Sequence, residues 1–108
     1  MDFDPQKIYD KVIEAGDMWA DRKAAYEALD DNTKSVLADL TSMFLANSKS
    51  KAEAEMYALA SPEFKAHLHL LQQARRGWLL AQVRYDSLKM LAELRRTQES
   101  TRRAEMKL

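Results

Sequence analysis

Two long apolar stripes, each advancing by alternating steps of four and three residues, constrain this chain more than any other feature. The first reads Ile8, Val12, Ala15, Trp19, Tyr26, Leu29, Thr33, Val36, Leu40 and Met43, with Arg22 as its one charged member. The second reads Phe64, His67, Leu71, Ala74, Trp78, Ala81, Tyr85, Leu88 and Ala92, then continues in register as Arg95, Glu99, Arg102 and Met106. Such spacing places every member on one side of an α-helix. Glycine occurs only at Gly16 and Gly77 and proline only at Pro5 and Pro62, so turns and strands lack their usual punctuation. The chain reads as all-α.

Start and stop signals divide it into three helices. Asp4 followed by Pro5 is an N-cap with proline at the first helical position, where its missing N–H costs nothing. The run Asp30-Asp31-Asn32-Thr33 has break-and-restart chemistry. Because the stripe passes through it in register, the reading is one helix over about 5–46, roughly 60 Å long at 1.5 Å per residue. Asn47-Ser48-Lys49-Ser50 ends it, and Ser50 with Glu53 forms a capping box for a short helix over about 51–60. Ser61, Pro62 and Glu63 then repeat the start signal for a helix over about 62–105.

Folding the two long helices back on each other gives an antiparallel hairpin with the short helix as connector. Placing Met43 beside Phe64 puts Tyr26 near Ala81, Leu29 near Trp78, Trp19 near Leu88 and Ala15 near Ala92, so that large faces small. Arg22 then comes towards Tyr85, where it can stack. Two stripes do not use all the apolar residues. The third helix keeps a second flank, Leu79, Leu80, Val83, Met90, Leu91 and Leu94, and the first keeps Ile13, Leu37 and Phe44. Met56, Tyr57 and Leu59 of the short helix can cover only part of this surface. Self-association into a helical bundle, first as a homodimer, is the expected solution.

Charge sharpens the picture. The 17 basic and 17 acidic residues balance, yet residues 1–60 carry 12 acidic against 7 basic side chains and residues 61–108 carry 5 against 10. The acidic start of the first helix would lie alongside the basic end of the third. The absence of cysteine removes disulfide, thiolate and Cys-metal chemistry and leans towards a reducing compartment. Met1-Asp2-Phe3-Asp4-Pro5 is not a secretory n-region, and no apolar run approaches the roughly 20 residues that span a bilayer. The expectation is a cytoplasmic protein without a membrane contact.

Catalytic chemistry finds no footing in the residues. There is no glycine-rich phosphate loop, nucleophile elbow or oriented nucleophile and base, and the Glu-x-x-His pattern of di-iron bundles is missing. His67 and His69 project in different directions on a helix and do not readily chelate one metal; they read as an ordinary surface-and-edge pair. No cofactor is implied. The C-terminal region is the one functional hint. Arg95-Arg96 and Arg102-Arg103 repeat at a spacing of seven, and Lys89, Arg96 and Arg103 form a row beside them that could grip phosphates or an acidic protein patch. Glu93, Glu99 and Glu105 interleave with that row, and basic residues suit a helix C-terminus in any case. Trp19 and Trp78 lie on the seams and read as core anchors, while the scattered methionines read as gap fillers.

The order of a long Tyr- and Ala-containing helix, Ser50-Lys51-Ala52-Glu53-Ala54-Glu55, Ala58-Leu59-Ala60-Ser61-Pro62-Glu63-Phe64, and the tail from Arg95 to Met106 resembles small all-helical proteins of tailed bacteriophages and prophages. The resemblance is best over residues 50–106. It implies a phage origin and a non-enzymatic accessory role, with a phage or host protein as partner, and carries over no site residue. The functional expectation is a protein-interaction module in phage DNA recombination or against a host defence system. A nucleic-acid-binding accessory protein that uses Arg95, Arg96, Arg102 and Arg103 as a phosphate track is the alternative, and a structural spacer is a third reading.

Overall fold

The computed structural model describes residues 4–107, and among these it contains four α-helices and no strand. They are α1 (Pro5–Asp31), α2 (Thr33–Leu45), α3 (Lys51–Ala60) and α4 (Pro62–Met106). The reading made from Met1, Asp2 and Phe3 lies outside the described residues. Asp4 caps α1: its Oδ1 accepts the N–H of Gln6 at 3.0 Å and that of Lys7 at 3.4 Å, with Pro5 between.

The single first helix expected over 5–46 is divided at Asn32. This residue has φ −80° and ψ −10°, yet its N–H still reaches the Ala28 carbonyl at 3.2 Å and its own carbonyl accepts from Val36 at 3.0 Å. The interruption is thus one residue long. Its cause is local, because Asp30, Asp31 and Asn32 are poor helix formers in succession, and the Thr33 hydroxyl turns back to the Leu29 carbonyl at 3.2 Å.

Packing divides into two compact units, one built from the segments that end at Arg22 and begin at Trp78, the other from Lys23–Gly77. In the second unit, α2 packs on α3, and Leu40, Ala58 and Phe64 form the core, with Val36, Leu37 and Phe44 against it. Burying a side chain such as Phe64 contributes about 1.5–3 kcal/mol. The inward face of α3 is Ala54 and Ala58, both fully buried, whereas Met56, Tyr57 and Leu59, expected to provide the cover, are at least half exposed. Residues four apart share a helix face, and alanine lets that face approach α2 closely.

The joints of this unit are closed without a left-handed residue, since no described residue has positive φ. At the end of α2 the N–H groups of Asn47 and Ser48 bond the carbonyls three residues back, and the Ser48 hydroxyl donates to Phe44 O at 2.7 Å. Ser50 Oγ accepts from Glu53 N–H at 3.2 Å, while the Glu53 carboxylate takes the Lys49 N–H at 3.3 Å, one residue before the usual capping-box donor. Ser61 serves two helices. Its hydroxyl donates to Ala58 O at 2.6 Å and accepts the Phe64 N–H at 3.2 Å, and the residue is buried.

His67 is buried as well, which corrects its reading as an edge residue; His69 is exposed. The His67 ring lies against Phe64 with centroids 6.3 Å apart, and its Nε2 is 2.9 Å from Thr33 Oγ1. Thr33 Oγ1 and His67 Nε2 share this hydrogen bond, its donor set by the tautomer of the ring. The histidine is therefore a satisfied core group.

In the other unit, Trp19 and Tyr85 stack with centroids 5.9 Å apart. Ile8 and Val12 share a cleft with Ala92 and Arg96, and Ala15 and Met18 share one with Arg84 and Leu88, so the two segments run in opposite directions there. The expected register paired Trp19 with Leu88 and Ala15 with Ala92; the observed one is displaced by about one turn. Gly16 explains the shift, because an added Cβ there would lie 3.1 Å from Tyr85 Cε1, so the ring occupies the space that glycine leaves. Lys89 Nζ stands 4.3 Å from the centroid of the same ring, whereas Arg22, the expected stacking partner, is exposed.

The stripes also drift. Met43 is 70% exposed and Phe44 takes its place, and Lys23 is half-buried where Arg22 was assigned to the seam. A helix of 3.6 residues per turn rotates about 20° per heptad away from a 3.5 repeat, so a straight stripe must eventually step one residue forward. On α4 the nine positions from Phe64 to Ala92 keep their burial, after which Arg95, Arg102 and Met106 are exposed and only Glu99 is partly covered.

Two substitutions test this packing by denaturant unfolding. Ser61→Ala removes a buried cap bonded to both α3 and α4 and should lower stability by about 1–2 kcal/mol. Gly16→Ala should also destabilise, by about 1 kcal/mol, despite the helix-propensity gain of about 1 kcal/mol that alanine brings. A more stable Gly16→Ala protein would show that the Tyr85 ring moves aside freely.

Candidate interaction surface

Helical rotation of about 100° per residue places Leu79, Leu80, Val83, Met90, Leu91 and Leu94 within an arc of about 120° on α4. This arc lies opposite the face formed by Trp78, Ala81, Tyr85, Leu88 and Ala92. The latter five are buried or half-buried, whereas all six of the former are exposed, from 39% at Leu91 to 70% at Met90. This part of α4 is therefore apolar on two opposite faces and covered on one. The open strip is about 22 Å long from Leu79 to Leu94.

The basic residues separate into two rows. Arg96 and Arg103 line an open cleft of about 390 Å³ with Pro5, Ile8, Tyr9 and Val12 of α1 and Ala92, Glu93 and Glu99 of α4. Arg103 Nε approaches Glu99 at 3.9 Å, and Lys89, one turn before the cleft, pairs with Asp86 at 3.4 Å. Arg95 and Arg102 lie about 100° around the helix from their neighbours Arg96 and Arg103, fully outside the cleft. They are exposed and form no ion pair among the described residues. The arginine tetrad is thus brought to one end of α4 but not onto a single narrow face.

The acidic start of α1 and the basic end of α4 are not joined by the ion pairs found among the described residues. Lys23 with Glu27, Lys89 with Asp86 and Arg103 with Glu99 are ion pairs between side chains three or four apart in one helix. They lie at the surface, with Lys23 and Glu99 partly covered, and each is worth no more than a few tenths of a kcal/mol. The charge asymmetry is left largely facing solvent.

Chemically, the cleft has an apolar floor, two guanidinium groups and two carboxylates that offset them. No group of three or more His, Asp or Glu side chains able to hold a metal converges among the described residues, and no described helix is long and apolar enough to cross a membrane. Sequence reading missed the Ala54 and Ala58 face, whose signal is small residues at a spacing of four, and the Gly16 notch, which sits one residue off the assigned seam.

One titrating group is displaced. A hydrogen bond from the Tyr57 phenol to Glu53, followed by the repulsion of that carboxylate and slight desolvation, raises Tyr57 above its ordinary value of 10.0. A raised folded-state value gives a stabilising contribution that is present below pH 10.0 and lost as pH rises through the folded value. Glu53→Gln should bring the Tyr57 phenolate titration down, read by ultraviolet absorbance as the difference from a Tyr57→Phe protein. An unchanged titration would contradict the Glu53 contact.

No protein-family model, no curated protein and no solved structure matches this chain.

Proposed function

We propose that this is a non-enzymatic accessory protein that acts by binding another protein, built as an antiparallel hairpin of two long helices that dimerises through the Leu79 to Leu94 strip. The observation that carries the reading is the exposed apolar strip on α4, opposite a face already covered. Contiguous apolar surface of a few hundred Å² or more marks association sites on soluble proteins. The resemblance of residues 50–106 to small helical phage and prophage proteins supplies the setting: the cytoplasm of an infected cell, with a phage or host protein as the further partner, in DNA recombination or in inhibition of a host defence. No catalysis, cofactor or metal belongs to this reading.

A second reading keeps nucleic acid as the partner of the C-terminal part of α4. It is favoured by Arg95, Arg96 and Arg102, which are exposed and take part in no ion pair among the described residues. Binding through such a row weakens steeply as salt rises, because each phosphate contact releases counterions. Fluorescence anisotropy with short single- and double-stranded DNA separates the readings. A salt-insensitive signal, or equal binding after Arg95, Arg96, Arg102 and Arg103 all become alanine, argues against the phosphate track.

The interface itself is tested by the double substitution Val83→Asp with Met90→Asp. Each carboxylate would be buried without a partner in the middle of the strip, at a cost of several kcal/mol per dimer. At about 1.4 kcal/mol per tenfold, dissociation should increase by two decades or more while far-UV circular dichroism keeps its helical signal. Sedimentation velocity that still shows an intact oligomer would place the interface elsewhere.

A further inference from the structure

In a chain without cysteine, the thioether of methionine is the side chain that an oxidant alters reversibly. Of the six methionines, Met90 alone belongs to the apolar strip of α4. Met18, Met43, Met56 and Met106 lie on other surfaces, and Met1 is outside the described residues. Met43, Met56 and Met90 are each 70% exposed. A peroxide therefore reaches these three alike in a single chain.

Hydrogen peroxide transfers one oxygen atom to the Met90 sulfur. The S–O bond forms as the O–O bond breaks, the sulfur gives up two electrons, and the rest of the peroxide leaves as water. The sulfoxide is a polar acceptor where an apolar side chain stood. The residues one turn from Met90 along the strip are Asp86, Ser87, Glu93 and Leu94. The two carboxylates only accept, leucine offers nothing, and the Ser87 hydroxyl is the single donor. In a free chain water serves the sulfoxide. Beneath a second copy that water is lost, and burial of the acceptor opposes association.

We propose that Met90 is an oxidation-sensitive latch on self-association: its sulfoxide holds the chain as a monomer. This rests on the dimer reading above and adds its regulation. Because the dimer covers Met90, the reaction runs through the dissociated chain, and every oxidised chain is withdrawn from the dimer equilibrium. Oxidation of Met90 then slows as protein concentration rises, while that of Met43 and Met56, away from the strip, keeps its rate. The latch reopens when the epimer-specific methionine sulfoxide reductases, drawing two electrons from a dithiol, restore the thioether and release the oxygen as water.

The full chain is treated with hydrogen peroxide at several protein concentrations. Peptide mass spectrometry reads the sulfoxide at each methionine, and sedimentation velocity reads the assembly. The latch predicts the concentration dependence at Met90 alone and a dissociation constant at least tenfold higher once Met90 is oxidised, about 1.4 kcal/mol. Met90→Leu keeps an apolar side chain of similar size and should stay dimeric through the same treatment. Met90→Gln, polar from the outset, should dissociate more readily with no peroxide added. A dimer that persists with Met90 as the sulfoxide overturns the proposal, as does a Met90→Leu protein that dissociates like the native chain. Loss of the helical circular dichroism signal on oxidation would place the effect in folding and overturns it too. A native chain that is monomeric before peroxide sinks the dimer reading and the latch together, whereas an unresponsive dimer sinks only the latch.

Discussion

The central constraint is that one stretch of α4 must bury two opposite apolar faces. Tyr85, Leu88 and Ala92 find α1 on one side, and the closeness of that contact depends on Gly16, where the Tyr85 ring fills the space a side chain would take. Trp19 stacks on the same ring and Lys89 stands over it, so a single aromatic residue fixes the local register. The opposite face from Leu79 to Leu94 has no such neighbour and remains exposed. Apolar surface of this kind carries a free-energy cost in water that a second helix can remove. The functional proposal follows from that imbalance and not from any reactive group.

The second unit shows how a chain with two glycines and two prolines can turn at all. Its joints rely on serine: Ser48 holds the end of α2, Ser50 starts α3, and Ser61 both ends α3 and starts α4. Hydroxyls satisfy the backbone groups that left-handed glycines usually expose to bonding. Between these joints the buried alanines of α3 allow close contact with Leu40 and Phe64. Thr33 and His67 tie the start of α2 to α4 through one hydrogen bond of 2.9 Å.

Much of this was legible in the sequence because caps and periodicity are local. The Asp4 and Pro5 start, the Ser50 cap, the Ser61 and Pro62 start and the buried face from Phe64 to Ala92 all follow from residue types at fixed spacing. The interruption at Asn32 was masked by a stripe that continues through it, since a one-residue defect keeps the hydrogen-bond ladder. The seam position of Met43 failed for a geometric reason, the slow rotation of a 3.6-residue helix against a heptad, which hands the place to Phe44. The register and the location of the core of α3 failed because glycine and alanine carry no weight in an apolar count, although they decide how closely helices approach. Of the interaction surface, the exposed strip was readable from its offset to the main stripe, and the place of Arg96 and Arg103 in a cleft required the helix to be set against α1.

The claim most open to a direct check is that the α4 strip is covered by a second copy. Multi-angle light scattering of the native chain over a dilution series measures this without labels or substitutions. The account predicts about twice the 12.5 kDa chain mass, held into the low micromolar range. A mass of one chain at every concentration would contradict it and leave the strip to a different partner.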